Sequence, residues 1–324
     1  MPNIWTLDLS YNRIAIVEKL AFESITQLNT LYLNNNKIQV LDKSMFPKSL
    51  SKLRFLILEQ NQIKELVPNW ASNLKNLKIL DLNKNFLQRI QPNIFKGLHS
   101  LADLSLKENK IRSIRETSFE GLTSLESLHL DSNKIKNLSK NLFRHLYNLR
   151  KLNLNNNKLK ELHPNIFKIV SMQLKNLKLQ NCGIERILPN TFNGIAKLNG
   201  LDISNNQIED LYPGVFRELT WIGILNITHN KIQVLKANMI SGIGTIRVLL
   251  LDFNEIHCIK REAFKGCEIL EFVSLSNNRI KSLDASLFAH LKGFKKLELF
   301  NNDVRVFNVE TLPKDVFIST NVTK

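Results

Sequence analysis

The sequence predicts an α/β solenoid: about 13 short coils in a curved array, with a parallel sheet on the concave side and loops with short helical turns on the convex side. One leucine pattern carries this prediction. Between Leu125 and Ile135 the chain reads L-x-x-L-x-L-x-x-N-x-I, and apolar residues alternate with polar ones as in a strand with one buried face. The pattern occurs thirteen times in 324 residues, at steps of 24 and twice 25. Such short coils must stack to bury their leucines.

Every copy but one has an asparagine where the chain leaves the strand. These residues are Asn12, Asn36, Asn61, Asn85, Asn109, Asn133, Asn157, Asn206, Asn230, Asn254, Asn278 and Asn302. A short amide side chain at this point can pair with backbone groups of neighbouring coils that would otherwise be buried and unsatisfied. Cys182 is the one replacement, and its small, weakly polar side chain is compatible with the same position.

An aromatic column follows, ten residues after most of these asparagines. Its members are Phe22, Phe46, Phe95, Phe119, Phe143, Phe167, Phe192, Phe216, Phe264 and Phe288. Trp70 comes one residue early, and Ile240 and Leu312 take the place of the ring in two copies. The regular spacing predicts a row of buried side chains running through the stack.

The 24-residue pattern with its phenylalanine column resembles the typical repeats of extracellular leucine-rich repeat proteins, such as Toll-like receptors, chaoptin, Slit, the acid-labile subunit and the leucine-rich repeat and immunoglobulin-like proteins. The resemblance covers nearly the whole chain. It implies a horseshoe, an extracellular setting and the binding of a protein ligand. We therefore expect residues 1–324 to form one domain of a receptor, adhesion or secreted regulatory protein.

Both ends of the sequence predict a fragment of a longer protein. The first strand begins directly after Met1, with no signal peptide before it, and neither end carries the cysteine cluster that commonly caps such arrays. Solenoids need capped ends to remain soluble. No apolar run reaches the roughly 18 residues that a membrane span requires.

The residues six, four and two positions before each repeat asparagine are predicted to point outward and line the concave face. In the middle copies they are polar, but a C-terminal zone is apolar: Ile224, Val248, Leu250, Phe272 and Phe300. A smaller apolar set lies nearer the N-terminus: Phe55, Ile57 and Ile79. Contiguous exposed apolar patches usually mark interaction sites, so we predict that a protein partner docks on the C-terminal zone. Two alternatives remain open, namely coverage by a following domain and loose selection near the chain end.

Positive charge is the second feature that points to a partner. Lysine and arginine number 45 against 29 acidic residues, a net charge of +16. Three consecutive copies carry cations one and three residues after the asparagine position: Lys110, Arg112, Lys134, Lys136, Lys158 and Lys160. This basic flank fits either solvated lysine in exposed turns or a patch for a polyanion such as heparan sulfate. No aromatic residues alternate with these cations for base stacking, so nucleic acid is not an expected partner.

Catalysis, metal binding and cofactors are not expected. Ser105, Ser127, His129, Asp103 and Asp131 fall on adjacent strands, but an open sheet gives a nucleophile and its base no pocket that excludes water. The seven histidines lack the spacing of metal ligands, and no glycine-rich phosphate loop is present.

Neither the cysteines nor the glycosylation sequences indicate whether the protein is extracellular or intracellular. Three cysteines are too few for a disulfide framework. Cys182 and Cys267 fit buried thiols, Cys258 is expected to be exposed, and a Cys258–Cys267 bridge is conceivable. Asparagines followed by x-Ser or x-Thr stand at Asn137, Asn226 and Asn321, no more often than composition alone gives.

Overall fold

The computed structural model describes residues 3–170, 172–308, 312–313 and 315–320. The chain divides into two compact units, Met1–Asn157 and Lys158–Lys324, here called unit 1 and unit 2. Each unit is a stack of coils with one short strand per coil, and neighbouring strands pair in parallel. The predicted solenoid of about 13 coils with very little helix is therefore confirmed.

Most main strands centre on the first leucine of the L-x-L and end before the second, and a fourteenth strand follows the thirteen repeats. In unit 1 they are Thr6–Asp8, Thr30–Tyr32, Phe55–Ile57, Ile79–Asp81, Asp103–Ser105, Ser127–His129 and Lys151–Asn153. In unit 2 they are Asn176–Lys178, Lys197–Asp202, Trp221–Asn226, Thr245–Leu250, Ile269–Ser274, Lys296–Glu298 and Phe317–Ser319. The register aligns the repeats without a slip, so that Leu104, Leu128 and Leu152 pair side by side. Outward residues of successive coils therefore form straight rows.

Four strands of unit 2 have six residues instead of three, because they begin three residues earlier than the short strands do. Isoleucine and tryptophan residues such as Trp221 and Ile222 occupy the added positions and favour extended backbone. Gly223 permits close approach of the coils, because a Cβ atom there would lie 2.5 Å from the carbonyl oxygen of Asn199. Pairing continues from Lys197 opposite Trp221 to Asp202 opposite Asn226.

The opposite side of each stack consists of turns, short strand pairs and 3-10 helices. The strand pairs are Val40–Leu41 with Glu65–Leu66, Arg89–Ile90 with Ser113–Ile114, Val234–Leu235 with Cys258–Ile259, and Ser282–Asp284 with Val306–Asn308. The 3-10 helices are Lys43–Met45, Lys48–Lys52 and Ala285–Phe288. Side chains of Asp42 and Asp284 cap two of them by accepting backbone N–H groups.

The asparagine column links neighbouring coils as predicted. Asn133 donates its amide to the carbonyl oxygens of Leu106, Leu130 and Asp131 at 2.9, 3.0 and 3.2 Å, and accepts the N–H of Ile111 at 3.0 Å. Other asparagines of the column repeat this geometry, for example Asn85 and Asn254. Asn133, Asn85 and Asn254 thus each satisfy backbone groups of two coils, whereas the exposed Asn12 bonds within its own coil.

The aromatic column is also confirmed. All ten phenylalanines are buried, as are Trp70 and Ile240, whereas Leu312 is half-buried. Neighbouring rings contact each other: Phe192 lies 6.3 Å from Phe167 and 5.7 Å from Phe216 between centroids, with nearly parallel planes. Stacking of this kind adds to the free energy of burial.

The three cysteines are free thiols, so the conceivable bridge between Cys258 and Cys267 is not formed. Cys182 and Cys267 are buried as predicted, while Cys258 is half-buried. Burial raises the pKa of the Cys267 thiol to about 11. Among the described residues, no helix has the length and hydropathy needed to span a membrane.

Candidate functional site: the strand face

The outward side chains of the main strands, here called the strand face, include an exposed apolar group in unit 2. Ile224 pairs with Val248, and Val248 pairs with Phe272, so the three side chains lie in one row across neighbouring strands. Leu250 lies on the same side of the strand as Val248, two residues further on. Ile224 is 48% exposed and the other three are half-buried. We call Ile224, Val248, Leu250 and Phe272 the unit 2 apolar group.

Phe300 is separated from this group by polar side chains. Ser274 lies on the strand that contains Phe272 and pairs with Glu298 on the adjacent strand, which Phe300 follows. The Ser274 hydroxyl donates to the Asp252 carboxylate and lies 3.2 Å from Glu298 Oε2. Phe300 is 41% exposed, but it does not continue the row of Phe272. The sequence placed the two rings together because both occupy outward positions, although in different rows.

A lysine interrupts the apolar row between Phe272 and Phe317, which was not predicted. Lys296 pairs in register with Phe272, and its Nζ lies 5.1 Å from the centroid of that ring. The same nitrogen lies 5.9 Å from the ring of Phe317 and 2.6 Å from a carboxylate oxygen of Glu298. The cation therefore covers one edge of Phe272 and leaves Val248 and Ile224 as the open side of the row.

Unit 1 has an apolar group of its own, formed by Phe55, Ile57 and Ile79 together with Tyr32. Phe55 pairs with Ile79, and Tyr32 pairs with Ile57. The sequence analysis missed Tyr32, although its outward position two residues after Thr30 would have identified it. All four side chains are partly exposed. They are called the unit 1 apolar group.

The polar residues considered for catalysis lie near one another without forming a nucleophile and base. His129 Nε2 is 3.8 Å from Asp103 Oδ1. The Ser105 hydroxyl donates to Asn83 and not to the imidazole. Within the described ranges, no serine hydroxyl forms a hydrogen bond with His129, and general-base activation of a serine requires that contact.

The six side chains of the basic flank are all exposed. Lys110, Arg112, Lys134 and Lys136 belong to adjacent coils of unit 1, where the N–H of Lys134 donates to the Ile111 carbonyl at 2.8 Å. None of these four has a described carboxylate within 4.0 Å. The Lys110 ammonium instead lies 4.2 Å from the centroid of the Phe86 ring. In unit 2, Lys158 is exposed as well, and Lys160 pairs with Glu185 at 3.8 Å.

An exposed aromatic pair at the edge of the strand face was also missed by the sequence analysis. The residue before each repeat asparagine has a left-handed backbone, and at two neighbouring copies it is His229 and Phe253, with φ of 53° and 54°. Their rings stack 4.3 Å apart. Left-handed φ is uncommon for a bulky residue. The repeat turn imposes it, as it does on Asn277 and Asn301 in the following copies.

The glycosylation candidates occupy different surroundings. Asn137 lies in an exposed loop of unit 1. Asn226 is half-buried on the strand face, pairs in register with Leu250, and accepts the N–H of Thr228 at 3.1 Å. Asn321 lies outside the described residues.

Comparison with solved structures gives several similar proteins. One is a leucine-rich repeat protein of Leptospira interrogans, 28% identical, with a TM-score of 0.70 over 91% of this chain and 72% of that one. Another is the Drosophila Toll–Spätzle complex, 19% identical, with a TM-score of 0.75 over 98% of this chain and 50% of that one. An internalin of Listeria monocytogenes is 20% identical, with a TM-score of 0.59 over 99% and 87% of the two chains. The last two likenesses concern the fold alone.

Sequence comparison gives the family. No curated protein matches the chain. The model of the leucine rich repeat family matches residues 26–85, 75–135, 123–169, 172–232 and 244–304, which together cover most of the sequence. The matched segments contain the asparagine and phenylalanine columns except for Asn12 and Phe22, which precede the first segment. The chain therefore belongs to the leucine-rich repeat family.

Proposed function

We propose that this chain is a non-catalytic protein-recognition scaffold that docks its partner on the strand face of unit 2. The single observation that carries the proposal is the outward-facing apolar row of Ile224, Val248 and Phe272, with Leu250 beside it, in which Ile224 is exposed and the others are half-buried. Outward positions on a solvent-exposed sheet face are expected to be polar. A contiguous apolar patch on such a face usually marks an interaction surface. Phe272 is the anchor of this surface, because aromatic residues dominate the binding energy of protein interfaces.

We further propose that the chain is an ectodomain fragment of a receptor, adhesion or secreted regulatory protein, in an extracellular setting. Support comes from the repeat type and from the fold likeness to Toll, which was solved in complex with Spätzle. A glycan on Asn137 would lie in an exposed loop. A glycan on Asn226 would shield one side of Leu250, because the two residues pair in register, and would confine docking to Val248 and Phe272.

Amide hydrogen exchange with a selected ligand tests the docking site. The probe is a peptide obtained from a random-sequence library by selection against the full chain, because unbiased libraries sample every accessible surface. We expect its binding to slow exchange in Trp221–Asn226, Thr245–Leu250 and Ile269–Ser274. Protection confined to the turns opposite the strand face, with these three strands unchanged, would contradict the proposal.

A second function, polyanion binding by the basic flank, has its own support. The four cations of unit 1 are exposed, lie on adjacent coils and are not neutralised by described carboxylates. Such cations attract sulfated polysaccharides through long-range electrostatics that salt screens. Heparan sulfate is the polyanion that would fit an extracellular setting. This function is compatible with protein docking on the strand face.

Heparin affinity chromatography of a charge-reversal variant tests the second function. Replacing Lys110, Lys134 and Lys136 with glutamate should abolish retention on immobilised heparin, because the unit 1 part of the flank would lose its positive potential. The control variant replaces the exposed Lys43, Lys96 and Lys140 with glutamate and changes the net charge equally. If both variants elute at the same salt concentration, retention depends only on the net charge of the chain, and the basic flank is not a polyanion-binding site.

A further inference from the structure

The strand face of unit 1 places carboxylates directly beside its apolar group. Asp81 pairs in register with Ile57 and lies on the same side of its strand as Ile79. Asp103 pairs with Ile79 on the other side. Glu59, two residues after Ile57, points to the same face as Asp81. Two isoleucine side chains are therefore bordered by three acidic groups.

The carboxylate of Asp81 has no cation of its own. It accepts the N–H of Asn83 at 2.8 Å, and in the part of the chain that the structure describes no lysine or arginine nitrogen lies within 4.0 Å of it. Glu59 is neutralised by Lys84, whose Nζ is 2.9 Å away. The closest base to Asp103 is His129 at 3.8 Å. Asp81 is thus an unpaired anion on a partly apolar surface.

The surroundings oppose ionisation of this group. Burial raises the pKa of Asp81, repulsion by Glu59 and Asp103 raises it further, and the Asn83 N–H and His129 act in the opposite direction. Burial also raises the pKa of Asp103, although His129 and Lys151 attract its ionised form. A carboxylate held under such conditions gains from any cation that approaches it.

Asp131, a fourth carboxylate of this face, follows the strand two removed from that of Asp81. Asp131 is 7% exposed, and its Oδ1 is buried without a hydrogen-bond partner. Its nearby charges are Lys107, which is paired with Glu108 at 3.1 Å, and His129. Burying a charged oxygen without a partner is costly. The strand face of unit 1 therefore carries uncompensated negative charge, in contrast to the net charge of +16 of the whole chain.

We propose that this face binds a cationic side chain, an arginine or a lysine, presented by a protein partner. The aliphatic stem would pack on Ile57 and Ile79, and the charged group would lie between Asp81 and Asp103. Long cationic side chains combine an apolar stem with a charged end in this manner. Arginine fits better than lysine, because its planar guanidinium can pair with two carboxylate oxygens at once. The inference rests on the proposed function, namely that strand faces of this chain bind protein.

Methyl NMR of the full chain, labelled at isoleucine δ1 carbons, tests the inference with a small probe. The probe is n-butylguanidinium chloride, and n-butylurea is its neutral analogue of similar shape. At constant ionic strength, we expect saturable shifts of the Ile57 and Ile79 methyl signals with the cation and much weaker ones with the urea. In Asp81→Asn the dissociation constant for the cation should rise by about fivefold or more. Asp8→Asn, at the equivalent position of the first strand, should leave it unchanged.

The melting temperature of Asp81→Asn supplies an independent readout. Because the folded-state pKa of Asp81 is raised, its contribution to stability is present at low pH and is lost as pH rises through that pKa. The variant should therefore melt above the parent at pH 7, and the difference should shrink as the solution is acidified. A variant that melts below the parent at pH 7 would mean that the carboxylate has a stabilising structural partner.

Three NMR outcomes would overturn the inference. Equal shifts with n-butylurea would mean that only the apolar group binds, and an unchanged dissociation constant in Asp81→Asn would place the cation elsewhere. Saturable shifts with calcium chloride that displace the guanidinium would make the cluster a divalent-cation site. The Ile57 and Ile79 signals report on unit 1 alone. A negative result there does not contradict docking on the unit 2 apolar group. A negative result for that docking does not contradict cation binding in unit 1.

Discussion

Replacing Phe192 with alanine is expected to lower the free energy of unfolding by about 3–5 kcal/mol. The ring is 1% exposed and lies between the rings of Phe167 and Phe216. Removing it loses the burial of an aromatic side chain and two stacking contacts, and it leaves a cavity that rigid neighbouring coils cannot fill. Denaturant unfolding monitored by circular dichroism measures the change. Phe317→Ala, at a side chain that is 61% exposed, is the matched control and should change stability little.

The damage from Phe192→Ala should also be local. In a repeat stack each coil contacts only its neighbours, so stability is a sum of coil terms and interface terms. Amide hydrogen exchange should accelerate in the coils that carry Phe167, Phe192 and Phe216. Uniform acceleration throughout unit 2 would show that the coils unfold as one cooperative block and would contradict the nearest-neighbour account.

The sequence was sufficient to predict the fold because each repeat position has one physical requirement. The Asn133 position needs donors and an acceptor on a short side chain, and the Phe192 position needs a large apolar side chain, most often a ring. Such requirements recur in every coil and are visible as a period. Strand length was not predictable in the same way. One of the long strands of unit 2 contains Gly223, which lies close to the backbone of Asn199, and this contact is a property of two coils together.

The candidate site was only partly predictable for a related reason. Alternation along each strand identified the outward residues, and the straight register brings Ile224, Val248 and Phe272 together. Each row, however, consists of the residues at one fixed distance from the repeat asparagine. Phe272 and Phe300 stand at different distances, and the sequence analysis grouped them although polar side chains lie between them. Coverage of Phe272 by Lys296 depends on the side-chain conformation of a lysine. No periodic pattern specifies that conformation.

Charged groups of the strand face illustrate the same limit. The sequence analysis did not single out Asp81, and it considered Asp103 only for catalysis. Their significance comes from the neighbouring Ile57 and Ile79, which remove water from one side, and from the distance to the nearest cation. Burial and ion pairing are properties of assembled coils. The sequence shows which residues share the face, and the structure shows which charges on it are uncompensated.

The second prediction with a large effect is a loss of binding affinity when the unit 2 apolar group is mutated. The double variant Phe272→Ala with Leu250→Ser should weaken binding of the library-selected peptide by more than about 2 kcal/mol, a factor of about 30 in the dissociation constant. Phe272 contributes the anchor ring, and Leu250 contributes the apolar surface beside Val248 and Phe272. Both side chains are partly exposed, so their truncation leaves the buried leucine and phenylalanine columns intact.

The most direct test of the account is therefore a comparison of two double variants by isothermal titration calorimetry with that peptide. The first is Phe272→Ala with Leu250→Ser, and the second is Ser127→Ala with Asn153→Ala, which removes polar outward side chains of unit 1. The account predicts a loss of about 30-fold in affinity for the first variant and a change of less than about twofold for the second. Equal losses in both variants, or none in the first, would show that the unit 2 apolar group is not the docking surface.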